Sequence, residues 1–173
     1  MAVILVNLVK FESQAVQYPD GKLAFESAVL LVDTHATFNE IRARQARYYF
    51  DLELPDDAGE SLGKVIIKQR AGGNEIEFKT EKTKAYLGTH RQKQAEIAVN
   101  TVYDRDLDAT IVKFEQPISA PNELTIGLKP KRNPNLPGVY LFGVTAFPPG
   151  KRSLGLYLGA GRFHFKENDF FDF

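Results

Sequence analysis

Residues 132 to 150 read RNPNLPGVYLFGVTAFPPG, with nine uncharged and mostly apolar residues, Val139 to Phe147, set between Pro137-Gly138 and Pro148-Pro149-Gly150. An exposed strand alternates apolar and polar residues, so an unbroken run of this kind implies a strand covered on both faces. It is far short of the ~20 apolar residues of a membrane-spanning helix. The Pro-Gly brackets mark where the strand starts and stops, and Gly143 in its middle allows another group to approach the backbone closely. The run therefore reads as a central strand of a sheet, with a loop or terminal segment over its outer side.

Outward from that stretch, alternation with period two recurs. Tyr48 to Leu54 (YYFDLEL) places apolar residues at the even positions and polar ones at most odd positions, and Pro55 ends it. Val65 to Gln69, Ile76 to Phe78, Thr110 to Glu115, Leu124 to Leu128 and Arg162 to Phe165 repeat the pattern. Turn residues separate them at Pro19-Asp20-Gly21, Asp56 to Gly59, Gly72-Gly73-Asn74, Asp104 to Asp108 and Pro121-Asn122. Gln92 to Tyr103 comes nearest to a helical stripe, but its Val99 to Tyr103 end is rich in β-formers and reads as strand. Short strands at hairpin spacing predict an all-β, two-sheet antiparallel sandwich of immunoglobulin-like architecture. Its expected core is Tyr48, Phe50, Leu52, Ile67, Phe78, Val112, Phe114, Ile126, Leu128, Tyr140, Phe142, Val144 and Phe163.

The 173 residues, 43% hydrophobic, suit one domain with a full core, here residues 16–166. Lys plus Arg and Asp plus Glu both number 22, so no net charge draws the chain to nucleic acid or an anionic membrane. The absence of cysteine removes disulfides, thiolate metal sites and a thiol nucleophile, and leaves the compartment open. Residues 1–15 contain an apolar stretch, Ala2 to Val9, followed by Ser13-Gln14-Ala15, which resembles a degenerate or cropped export signal without a basic start.

Three blocks carry a family resemblance: YYFDLELPDDAGESLGKVIIKQ (Tyr48 to Gln69), GLKPKRNPNLPGVYLFGVTAFPPG (Gly127 to Gly150) and GRFHF (Gly161 to Phe165). Together they resemble a cyanobacterial family known as domain of unknown function 2808, over about Val16 to Phe165. Arg132-Asn133-Pro134 and Gly138 to Gly143 are its most specific parts. The resemblance implies export to the periplasm or cell surface. It implies no catalytic residue, ligand residue or cofactor.

No catalytic constellation stands out. Gly59 to Val65 fails as a phosphate loop, because the glycines are one residue too close and Val65 replaces the magnesium-binding hydroxyl. Gly159-Ala160-Gly161 lacks the rest of a dinucleotide fingerprint, and no serine sits in a nucleophile elbow. Asp104, Asp106 and Asp108 have the alternate spacing of a calcium loop, with Ile111 and Glu115 in place, but Ala109 stands where that loop needs glycine. A hairpin turn is the simpler reading. His35, His90 and His164 are scattered and would bind copper or zinc only if distant strands brought them together.

Candidate binding groups are the basic clusters Lys129, Lys131 and Arg132, and Lys151 and Arg152, which flank the apolar strand at opposite ends. The aromatic tail at 167–173, with Phe170, Phe171 and Phe173, is a second candidate, as a docking segment. The function expected from these features is a non-enzymatic interaction module of the cell envelope, exported, binding a protein or glycan and no nucleic acid. The alternative is a periplasmic protein that handles calcium or copper.

Overall fold

The alternation in Tyr48–Leu54 places Tyr48, Phe50, Leu52 and Leu54 on one side of a strand, where all four are fully buried. In the computed structural model, which describes residues 21–167, that strand is β2 of a five-stranded antiparallel sheet. The sheet is completed by β1 (Leu30–Ala36), β4 (Lys84–Leu87), β5 (Glu96–Ile97) and β8 (Asn122–Leu128), in the order β1-β2-β8-β4-β5. A second five-stranded antiparallel sheet packs against it. Its strands are β3 (Leu62–Ala71), β6 (Val99–Asp104), β7 (Ala109–Ile118), β9 (Gly138–Phe147) and β10 (Leu156–Phe165), in the order β10-β9-β3-β7-β6. The molecule is thus an all-β sandwich of immunoglobulin-like architecture.

Register aligns the inward faces. Phe50 pairs with Ile126 between β2 and β8, and Ile67 pairs with Val144 between β3 and β9. Phe142 lies near the centre of an aromatic cluster, with its ring centroid 5.7 Å from Phe163, 5.8 Å from Phe78 and 6.2 Å from both Tyr48 and Phe50. Twelve of the thirteen expected core residues are buried, and Phe78 is half-buried against them. Edge strands β1 and β10 meet across one side, where Thr34 Oγ1 donates to the Arg162 carbonyl at 3.2 Å. A Cβ at Gly161 would lie 2.5 Å from Thr34 Cγ2, so this approach depends on glycine.

The apolar run forms β9, which lies second in its sheet, hydrogen-bonded on both edges by β10 and β3 rather than at the sheet's centre. Tyr140, Phe142, Val144 and Ala146 face the core, while Leu141, Thr145 and Phe147 are half-buried outside. The outer cover comes mainly from neighbouring side chains. Arg70 and Tyr157 lie over Gly143, and the Lys64 ammonium sits 4.7 Å from the Phe147 ring. The connection from β9 to β10 contributes Gly155, whose bare backbone presses on Phe147.

Other differences from the sequence expectation are local. Ile76 to Phe78 forms no strand; Phe78 makes a single bridge to Pro130. Strands β1 and β4 were not anticipated, because neither LLVDTHA nor KAYL alternates cleanly. The 132–134 block has a structural role. Asn133 is fully buried, accepts from the Tyr48 hydroxyl at 2.8 Å, and donates to the carbonyls of Phe38 and Glu40 at 2.9 and 2.8 Å. One amide thereby ties the connection between β1 and β2 to the core, with both N–H donors and the carbonyl oxygen engaged.

Candidate binding cleft

As β3 leaves its sheet, the glycines of Gly72-Gly73-Asn74 turn the chain into a loop that returns to the sandwich through Ile76 and Phe78. Gly72 has φ of 147°, and a Cβ there would lie 2.1 Å from the Tyr140 ring, so only glycine fits. The Gln69 side chain fastens the loop: its Nε2 donates to the Asn74 carbonyl, and its Oε1 accepts from the Ile76 N–H, both at 2.9 Å. The Asn74 side chain accepts from the Tyr140 hydroxyl at 3.0 Å. Backbone hydrogen bonds from Lys131 to Glu77 and from Lys79 to Lys129, each 2.8 Å, hold the far side.

This loop, the end of β3 and the β6–β7 hairpin enclose a cleft of about 660 Å³. Ile67, Ile76 and Phe142 form its floor, and Glu75, Glu77, Arg105, Asp108 and Lys131 form a rim of both charges. Tyr103 stands at the rim with 48% of its surface exposed. The volume lies within the ~300–1,000 Å³ typical of ligand sites, and an apolar floor with a few converging polar groups is their usual construction. The Lys131 ammonium hydrogen-bonds the Glu77 carboxylate and pulls its pKa below the ordinary glutamate value. The Tyr103 hydroxyl donates to Asp108, which pushes the phenol up to about 12.

Of the basic candidates, only Lys131 lines the cleft. Lys129 instead bonds the carbonyls of Arg44 and Ala46 at 2.7 and 3.0 Å, and desolvation lowers its pKa. Arg132 is exposed beside them, whereas Lys151 and Arg152 lie beyond the other end of β9, so the two clusters form no common patch. Phe170, Phe171 and Phe173, like residues 1–15, lie outside the described residues.

The aspartate turn is a hairpin. Asp104 Oδ1 accepts the N–H groups of Asp106 and Leu107 at 2.9 and 3.0 Å, and Asp108 receives the Tyr103 hydroxyl. Asp108 does line the cleft, but Asp104, Asp106 and Asp108 do not gather as ligands among the described residues. Of the histidines, His35 and His90 stack with centroids 4.8 Å apart, and His164 is exposed on β10. The group that does converge contains His90, with Asp33 and Asp51. Sequence reading missed both aspartates, because each is separated from His90 by a long stretch of chain. It also missed Tyr103 and Glu77, which come together only through the fold of the Gly72 loop.

The family model described as a protein of unknown function, DUF2808, matches residues 22–165. The chain belongs to this family. No protein of curated function matches it. Among solved structures, the collagen-binding domain from a Staphylococcus aureus adhesin is similar at 10% identity and a TM-score of 0.41, covering 80% of this chain and 99% of that one. A chain of the RrgA Jo.In complex is similar at 9% identity and a TM-score of 0.40, covering 79% and 77%.

Proposed function

We propose that this DUF2808 protein is a non-enzymatic binding module of the cell envelope, and that the cleft between the Gly72 loop and the β6–β7 hairpin holds a glycan. The cleft carries the reading: it combines an exposed tyrosine ring with paired carboxylate and cationic groups over an apolar floor. A sugar ring offers an apolar face to stack on an aromatic side chain and a hydroxyl perimeter to hydrogen-bond with charged groups. The electrostatics favour holding over turnover. Lys131 shifts the Glu77 carboxyl down and Asp108 shifts the Tyr103 phenol up, both away from neutral pH, where a general acid or base works best.

The envelope location rests on the family resemblance. Among the described residues, no helix is long and apolar enough to cross a membrane. N-terminal sequencing of the protein from its own cells, with fractionation, checks the location. An intact Met1 in a cytosolic fraction contradicts export, and a start near Val16 supports it.

Binding is tested by capture of envelope material on the immobilised chain, with and without enzymatic removal of glycans. The reading expects capture to need the glycans and to be lost in Tyr103→Ala and Lys131→Ala. Capture of a protein that survives glycan removal and both substitutions would overturn it, and would direct attention to the 167–173 tail.

A further inference from the structure

Strand β2 places a carboxylate where burial is costly. Asp51 points away from the core, yet its side chain is only 5% exposed, because the connection between β4 and β5 folds over that face of the sheet. From this connection the His90 N–H donates to Asp51 Oδ1 at 2.9 Å, and His90 Nδ1 lies 2.6 Å from Asp51 Oδ2. The His90 side chain is itself 7% exposed.

Asp33 of β1 pairs directly with Asp51 in the strand register. Like charges directly opposite one another repel, and the low dielectric around the buried member strengthens that repulsion. The ligand atoms of Asp33, Asp51 and His90 all lie within 4.8 Å of one another. On one ion with bonds of ~2.0–2.2 Å, neighbouring ligand atoms sit about 3–4 Å apart, so small side-chain rotations suffice.

A second, independent observation comes from β8. Thr125 stands directly across from Asp51, fully buried, and its Oγ1 has no hydrogen-bond partner. A buried hydroxyl without a partner calls for one, and water bound to an ion beside Asp51 would supply it. Among the described residues, no lysine or arginine forms an ion pair with Asp33 or Asp51. Lys93 bonds the Tyr49 hydroxyl at 2.7 Å and lies over its ring, and Arg91 is an exposed residue whose charge reaches His35.

We infer that Asp33, Asp51 and His90 form a binding site for a divalent first-row transition metal such as Zn²⁺ or Cu²⁺. One imidazole nitrogen with two carboxylates suits these ions, whereas Ca²⁺ takes about six to eight oxygens. On binding, the ion replaces the hydrogen bond between His90 and Asp51, and His90 ligates through one nitrogen of the neutral imidazole. His35 is exposed at the mouth of the site, and its ring lies parallel to His90 at 10°. In-plane lone pairs of parallel rings do not converge, so His35 joins as a further ligand only after rotating. The site is separate from the glycan cleft, and the two inferences fail independently.

The test is calorimetric titration of the full chain, free of any affinity tag, with ZnCl₂, and with Cu²⁺ followed by electron paramagnetic resonance. The expected result is saturable binding of one ion per chain at about micromolar affinity or tighter. Asp33→Asn, at an exposed position, should weaken it at least about tenfold without lowering the melting temperature of the metal-free protein, which rises if anything as the repulsion with Asp51 is relieved. His90→Gln should remove the nitrogen hyperfine splitting of the Cu²⁺ spectrum. His164→Ala and Asp106→Ala should change nothing. The proposal is overturned by the absence of saturable Zn²⁺ and Cu²⁺ binding, by binding indifferent to both Asp33→Asn and His90→Gln, or by Ca²⁺ binding as tightly as Zn²⁺.

Discussion

On the outer side of the sheet containing β9, Leu141, Thr145 and Phe147 are half-buried beneath the stems and heads of Lys64 and Arg70, the Tyr157 ring and Gly155. On the outer side of the other sheet, Asp51 and Thr125 are buried beneath the connection that carries His90. Flexible neighbours suffice to cover an apolar surface, because long cationic side chains lay methylenes on it and keep their charges in water. A carboxylate requires directed partners, and here the chain supplies them with a loop held by backbone and ring hydrogen bonds. The first kind of cover needs nothing further. The second encloses charge and an unpartnered hydroxyl, which is the composition expected at a site and not of packing alone.

Both faces rest on the same core, so the largest expected effect lies beneath them. Phe142→Ala should destabilise the protein by about 3–5 kcal/mol in urea unfolding, through lost burial and the cavity left behind. A loss below about 1 kcal/mol would show that the β9 run is not packed as described.

Asp51→Ala comes next, at about 3 kcal/mol, because it strips the His90 connection of its charged partner. Hydrogen exchange should quicken selectively at residues 88–94, and uniform quickening across both sheets would erase the distinction between the two faces. Arg70→Ala, on the apolar face, should cost at most about 1 kcal/mol, since Tyr157 and Lys64 remain to cover the strand. A cost matching that of Asp51→Ala would break the comparison.

The smallest effect tests a charge away from both faces. Desolvation, and then the negative charge of Glu26, raise the pKa of Glu60 above 4.5 in the folded protein. A raised folded-state value means that the group favours the fold below pH 4.5 and loses that contribution as pH rises through the folded value. Glu60→Gln should therefore raise the melting temperature slightly at pH 7 and leave no gain at pH 4. A gain that persisted at pH 4 would show that the charge is not its source.

The sandwich was legible because alternation is a local signal: residues 48–54 and 110–115 declare their inward faces within a few positions. Strand β1 was not, because a bulge between Leu31 and Asp33 shifts its register and its outward positions mix Val32 with Asp33. The cleft was legible only through Lys131 and Asp108, both singled out for other reasons. Tyr103 and Glu77 reach it through a glycine turn whose direction no local pattern specifies. The Asp33–Asp51–His90 group is a product of register. Asp51 reads as an ordinary solvent-facing strand residue until pairing with β1 and the fold of the 88–94 connection enclose it.

The claim that the cleft is the binding site is tested most directly by nuclear magnetic resonance titration of the ¹⁵N-labelled chain against a panel of neutral and anionic oligosaccharides. The expected result is saturable shifts from at least one sugar at the amides of residues 72–78, Tyr103, Arg105 and Lys131, and their loss in Tyr103→Ala. Silence across the panel, or shifts gathered at Lys151 to Ser153 or another surface, would contradict it.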